Sequence, residues 1–293
     1  NAHQWQYVNS LTSQVVNSPS LTAPVTYTAP TGTSISYCFE ASTSFNPGSG
    51  MTGLKNNTTQ FSIVNSDGVN SSYEHGLDGT PDIIFFKNYT SQNFFVWSSL
   101  IPDQVLYLDG SGPAEANTQI FTPVPDATTV SLGTSLTSAG FIAWQYRNVD
   151  GYSSTGSYTG NGNADGPFIY TGFTSAFIMV KAASSNGNWC VYDSTRTPSN
   201  PSNRQLNPNT TSGWAVNSAD PVNFLSNGFK QINDDPALNG SGVTYLYMTF
   251  ASNPFGGANV EPGNAALTLP NIPGVPDLNS DGNSLRFRGS QYL

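Results

Sequence analysis

The sequence predicts an all-β protein built from tandem antiparallel β-sandwich modules, jelly-roll-like in character, and three observations predict it. Apolar runs are about four to eight residues long, rich in Val, Ile, Phe, Tyr, Trp and Thr, and fenced by Gly, Pro, Asn, Asp or Ser, which is the punctuation of strands. No stretch long enough for a helix carries a clean apolar period with caps. A strand-like phrase returns at long intervals, as SYCFEA over 36–41, AWQYR over 143–147 and YMTFA over 247–251. With Phe39, Tyr146 and Phe250 in register the spacing is roughly 105 residues, too long for a solenoid unit and common for a domain.

Along the chain, residues 1–43 are expected to hold only the closing strand of a partial module. Residues 44–150 form the first whole module, in which an apolar strand over 81–87 ends in Lys87 and an aromatic strand over 93–99 follows. Residues 151–255 form the second, where 175–181, ending in Lys181, and 188–194 repeat that pair in the same order and at nearly the same spacing. Ile142, Trp144 and Tyr146 alternate with Phe141, Ala143 and Gln145, while Tyr245, Tyr247 and Thr249 alternate with Leu246, Met248 and Phe250. Both faces of these strands are partly apolar, as in a sheet covered on each side. Asp67-Gly68, Asp78-Gly79, Asp109-Gly110, Asp165-Gly166 and Asn227-Gly228 supply tight turns. Residues 256–293 read as a proline-stiffened linker carrying Pro262, Pro270, Pro273 and Pro276, then one alternating strand over 284–293 that is expected to open a further domain.

Composition narrows the function classes. Only 9% of residues are charged, so hydroxyls and amides rather than ions carry the surface, and a hydrophobic fraction of 37% with 12% aromatic still fills compact cores. A net charge of −9 with no basic run lacks the electrostatic footprint of a nucleic-acid binder. No apolar run approaches the length of a membrane-spanning helix, which argues against membrane insertion by that route. The N-terminus has no basic stretch leading into an apolar core, so either export bypasses a Sec-type signal or processing has removed it. Cys38 and Cys190 occupy different strands of the module and do not make a disulfide framework; two small buried side chains are the plain reading, a bridge the alternative.

Motifs that carry chemistry are few. Asp277, Asn279 and Asp281 fall at the first, third and fifth positions of a calcium-type loop with Gly282 at the turn. The last position of that loop would be Arg288, a cation where calcium needs a bidentate carboxylate, so a polar turn is the better reading and no metal is expected. His3 and His75 have no ligating partner at metal spacing. A strained Gly-x-Ser-x-Gly elbow is missing, and the adjacent carboxylates Asp234 and Asp235 would point apart on an extended chain, so no catalytic residue and no cofactor are expected. Tyr152, Tyr158, Trp214 and Phe255 lie near turns where a ligand can reach an aromatic face, whereas Trp97, Trp144 and Trp189 sit inside strand runs and belong to the core.

One set of residues is familiar: the run GYSSTGSYTGNG over 151–162, DGPFIYTGF over 165–173, FLSNGFK over 224–230, and the stretch from Tyr245 to Phe255. Together these resemble a repeated domain of unknown function found in structural proteins of tailed bacteriophages, marine ones especially. The likeness is strong across 151–255, looser across 44–147, where FSIVNSDG over 61–68 replaces the glycine-rich opening, and a stub before residue 41. The closing strand over 284–293 resembles the start of the laminin-G-like, concanavalin-type sandwich that often follows such repeats. The resemblance implies a non-enzymatic virion protein at the particle surface, a tail-fibre or other appendage component acting as spacer or assembly module, with a part in host attachment. Other virion proteins and further copies of the chain, a trimer above all, are the implied partners, and a host surface glycan is a further one. A carbohydrate- or capsid-binding head-fibre module and a secreted bacterial adhesin or filament subunit remain as alternatives, because a hydroxyl- and amide-rich surface suits neutral glycans and self-packing alike.

Overall fold

Each of the three recurring phrases becomes a strand in the computed structural model, which describes residues 2–5, 37–90, 93–137, 139–210, 215–216 and 221–256. Strand β1 (Ala2–Trp5) pairs antiparallel with β2 (Tyr37–Glu40). The first module contributes β3 (Thr43–Phe45), β4 (Met51–Asn56), β5 (Phe61–Ser66), β6 (Ser72–Glu74), β7 (Ile83–Asn88), β8 (Phe94–Ser98), β9 (Gln104–Tyr107), β10 (Glu115–Ala116), β11 (Thr129–Ser131) and β12 (Phe141–Tyr146). The second contributes β13 (Ser153–Thr159), β14 (Phe168–Tyr170), β15 (Ser175–Ala182), β16 (Cys190–Asp193), β17 (Arg204–Gln205), β18 (Ala215–Val216), β19 (Val222–Leu225), β20 (Gly228–Gln231), the one-turn helix α1 (Pro236–Asn239) and β21 (Thr244–Ala251). Every pairing among these strands is antiparallel, so the expected all-β sandwich class holds.

The two halves share a wiring plan. In the first, β8, β7, β12 and β5 lie side by side in that order; in the second, β16, β15, β21 and β13 do the same. Each recurring phrase of the second and third copies thus sits in the middle of a main sheet, hydrogen-bonded on both edges. A small second layer covers one face of each main sheet: β6 paired with β11 in the first half, β14 paired with β20 in the second. The main differences are additions, with β4 and β3 extending the sheet beyond β5, β9 and β10 beyond β8, and β19 lying beyond β20.

Strand alternation explains how the interiors are shared. In β7, Ile84 and Phe86 turn toward the first half's own interior with Tyr73, Trp97, Val130 and Phe141, while Ile83 and Phe85 turn the other way. In β15, Ile178 and Val180 join Ile169, Tyr192, Phe229 and Tyr245 in the second half's own interior, while Phe177 and Met179 turn the other way. The outward-turned sets meet, so Ile83, Phe85, Val96 and Tyr146 of one sheet share a third core with Met179, Trp189, Met248 and Phe250 of the other.

The sequence therefore misleads in one respect: the modules are not bodies in series closed only on themselves but are packed main sheet to main sheet. Among the described residues a small layer covers one face of each sheet, and the other apolar face finds its cover in the neighbouring module. Phe39, Tyr146 and Phe250, the residues that the repeat sets in register, come together there, with ring centroids 5.2 Å apart for Phe39 and Tyr146, 4.9 Å for Phe39 and Phe250, and 5.9 Å for Tyr146 and Phe250. The packing leaves a void of about 10 Å³ among Ile83, Val96, Leu106, Met179, Trp189 and Met248, with room for no more than a single water.

Hydrogen bonds fasten the join at both ends. The Trp189 indole donates to the Tyr107 carbonyl at 2.8 Å, Ala114 N–H donates to Ala183 O at 2.8 Å, and Gly187 N–H donates to Ser111 O at 2.9 Å. Lys181, fully buried at the end of β15, donates from Nζ to the carbonyls of Gly112 at 2.8 Å and of Ala182 at 2.7 Å. At the crossing between modules, the Asn148 side chain pairs with both backbone groups of Thr155, accepting from N–H at 2.6 Å and donating to O at 3.1 Å, while Asn148 N–H donates to Asp82 Oδ2 at 2.7 Å.

Candidate functional site

The strand β14 is three residues long, entered from Pro167 and left through Gly172, whose φ of +85° suits glycine. Period-two alternation puts Ile169 inside, 5% exposed, and leaves Phe168 and Tyr170 outside at 47% and 67%. Among the described strands β14 lies at the sheet edge and meets only β20, with Phe168 opposite Lys230 and Tyr170 opposite Gly228; β19 then places Asn223 beside Lys230 and Leu225 beside Gly228. The outer face of this small sheet thus carries two exposed rings at its rim and a polar row behind one of them.

Neighbouring residues hold this face in place. Asp165 forms an ion pair with Lys230 beside Phe168, its side chain 83% exposed against 30% for the lysine, which leaves the carboxylate accessible and the pair close to neutral overall. Asp165 in turn ends a knotted loop: Asn161 Oδ1 accepts from Asn163 N–H at 2.9 Å, Asn163 Oδ1 from Asp165 N–H at 2.9 Å, and the Asn239 amide donates to Asn161 Oδ1 at 3.0 Å and to Asn163 O at 2.8 Å. The Tyr170 ring lies over Gly172, where an added Cβ would come 3.7 Å from its hydroxyl oxygen, and no hydrogen bond to that hydroxyl is made among the described residues.

Behind Tyr170, Gly228 brings β20 close to β14, and a Cβ there would stand 2.0 Å from the Ile169 carbonyl oxygen. Backbone cannot yield as a flexible side chain can, so Gly228→Ala is expected to push the strands apart and cost on the order of 1–3 kcal/mol. Urea unfolding of the variant measures this; an unchanged midpoint would show that the small sheet tolerates separation.

Against this face, the aromatic positions that the sequence marks for ligands behave as packing residues. Tyr158 stacks on Tyr245 with centroids 5.0 Å apart, donates to Leu238 O at 2.7 Å and accepts from Gln231 Nε2 at 3.0 Å, and burial holds its phenol well above the usual range. Its ring faces the second half's interior because β13 runs on through the glycine-rich stretch that reads as a turn in the sequence. Tyr152 and Phe255 stack on each other at 5.8 Å and 12° and close the end of the shared core beside Phe250, with Phe255 at a φ of 56°. Trp214, Asp277, Asn279 and Asp281 lie outside the described residues.

The remaining titratable candidates also have structural work. His75 is buried, its Nδ1 accepting from Leu77 N–H at 3.1 Å, and burial lowers its pKa so that the ring stays neutral near pH 7. Asp235 caps α1 by accepting from Ala237 N–H at 2.5 Å. Among the described residues no three His, Cys, Asp or Glu side chains converge as a metal site, and no helix is long and apolar enough to cross a membrane.

Phe168 and Tyr170 escape the sequence reading, although the signal is present: a short apolar triplet between Pro167 and Gly172, with a single central residue needed inside. The first half shows that the fold does not require rings there. Its matching strand β6 has the same pattern, Tyr73 buried between exposed Ser72 and Glu74, and the facing residues on β11 are Ser131 and Thr129.

Fold and site together define an antiparallel all-β protein in which two like sandwiches share a core and one of them bears an exposed aromatic face. The chain belongs to the family described as a domain of unknown function, DUF7483, which matches residues 7–254 and so runs unbroken through both modules. No curated protein and no solved structure gives a match to the chain.

Proposed function

We propose that the chain is a non-enzymatic structural protein of a bacteriophage virion, a tail-fibre or other surface-appendage component that serves as spacer and assembly block and takes part in host attachment. The observation that supports this reading is the module repeat, two halves with the same order of strands in their main sheets, which suits a spacer or assembly block. The low charge and the hydroxyl- and amide-rich surface suit packing against further copies of the chain, and the resemblance to phage fibre proteins implies other virion proteins as partners and a trimer as the assembly. The likeness of residues 151–255 to repeats in tailed-phage structural proteins supplies the virion context, and with it a place outside the cell. Mass spectrometry and immunogold electron microscopy of purified particles test the proposal. The chain is expected in the particle and at its surface, and particles that lack it overturn the reading.

A further inference from the structure

We propose that the outer face of β14 and β20, centred on Phe168 and Tyr170, is a binding site for a neutral oligosaccharide. The proposal deepens the attachment part of the reading above by naming the site and the ligand class. Two large rings left 47% and 67% exposed are a cost that the fold does not impose, because the matching positions of the first half are Ser72 and Glu74. Rings two residues apart on one strand are set about 7 Å from each other, enough to lie under two successive sugar rings.

The chemistry around the rings selects the occupant. An aromatic face is electron-rich and attracts the polarised C–H bonds on the flat side of a pyranose. The sugar's hydroxyls then need donors and acceptors at the rim, and Asp165, Lys230, Asn223 and the Tyr170 hydroxyl provide both kinds. Because Asp165 and Lys230 compensate each other, the face offers no net charge to an anionic or cationic ligand. A second protein is the poorer fit. Two partly covered rings offer well under the roughly 800 Å² per partner that a stable protein interface buries, and exposed Ser226, Asn227 and Asp165 break the patch at its edges.

The test uses the whole chain titrated with soluble neutral gluco-, galacto-, manno- and N-acetylglucosamine oligosaccharides, read by NMR shift perturbation and calorimetry. At least one member is expected to bind with a Kd on the order of 0.1–1 mM, as befits a small open site. Tyr170→Ala and Phe168→Ala should each weaken it about ten-fold or more while leaving the thermal midpoint in place. Tyr170→Thr, which keeps a strand-forming residue, serves as the second variant should alanine loosen the edge. The first half's pattern, Phe168→Ser with Tyr170→Glu, should abolish binding. No binding by any member of the panel, binding that the ring variants leave unchanged, or a dimer in sedimentation that the ring variants dissolve would each overturn the assignment. Absence of the chain from virions would overturn the virion reading alone, since sugar binding is measured on the isolated protein.

Discussion

Replacing Phe250 by alanine is expected to cost about 3–5 kcal/mol and to loosen both modules at once. The side chain is 8% exposed and its ring lies 4.9 Å from Phe39, 5.9 Å from Tyr146, 5.6 Å from Tyr152 and 5.8 Å from Phe177. Two of these neighbours, Tyr146 and Phe39, come from outside the second module, so the cavity opens between sheets that cannot collapse onto it without moving relative to each other. Removing the ring also strips cover from Ile83, Phe85 and their neighbours, which among the described residues have no other layer above them. Urea unfolding measures the cost, and hydrogen exchange tells where it falls. Amides of β7 and β8 should lose protection together with those of β15 and β21. If β7 and β8 keep their protection while the second sheet alone opens, each module stands on its own interior and the shared core is only a contact.

Sequence patterning carried the fold a long way, and the reason is visible in particular residues. The alternation of Ile142, Trp144 and Tyr146 against Phe141 and Ala143 required a sheet covered on both faces, and the structure covers it so, with Phe141 and Ala143 in the module's own interior and Ile142 and Tyr146 in the shared core. What alternation cannot say is who does the covering. A strand's period of two fixes that a face is buried but holds no information about the partner sheet, so stacking modules in series and packing them face to face leave the same sequence signature. The site was legible for the same reason and overlooked for another. Phe168 and Tyr170 look like core residues by type, and their exposure follows only once β14 is known to be an edge strand with Ile169 as its single inward residue. Tyr158 failed in the opposite sense: its glycine-rich surroundings suggest a loop, yet they form a regular strand against β21 with Tyr158 facing Tyr245.

Raising the pH from 7 to about 9.5 is expected to stabilise the protein by about 2 kcal/mol, with Lys181 as the main source. Burial at the module join lowers the pKa of its ammonium from 10.5 to about 8. Between those two values the unfolded chain holds a proton that the folded chain has released, so unfolding takes up protons and stability climbs with pH. Lys87, the matching residue of the first module, is also lowered by burial and acts in the same direction. Above pH 10 the sign reverses. Tyr73, Tyr146, Tyr158 and Tyr245 have phenols raised by burial, and in the unfolded chain these groups ionise near 10 while the fold keeps them protonated, so stability is lost as pH rises further. Urea midpoints taken across pH 7–11 should therefore pass through a maximum between the two regimes. Lys181→Met should flatten the rising limb and leave the falling one, since the methionine keeps the apolar stem while removing the titrating group. A rising limb of equal height in that variant would place the linkage elsewhere, and a profile without a rise would mean that Lys181 keeps its proton by drawing on the carbonyls of Gly112 and Ala182 more strongly than burial opposes it.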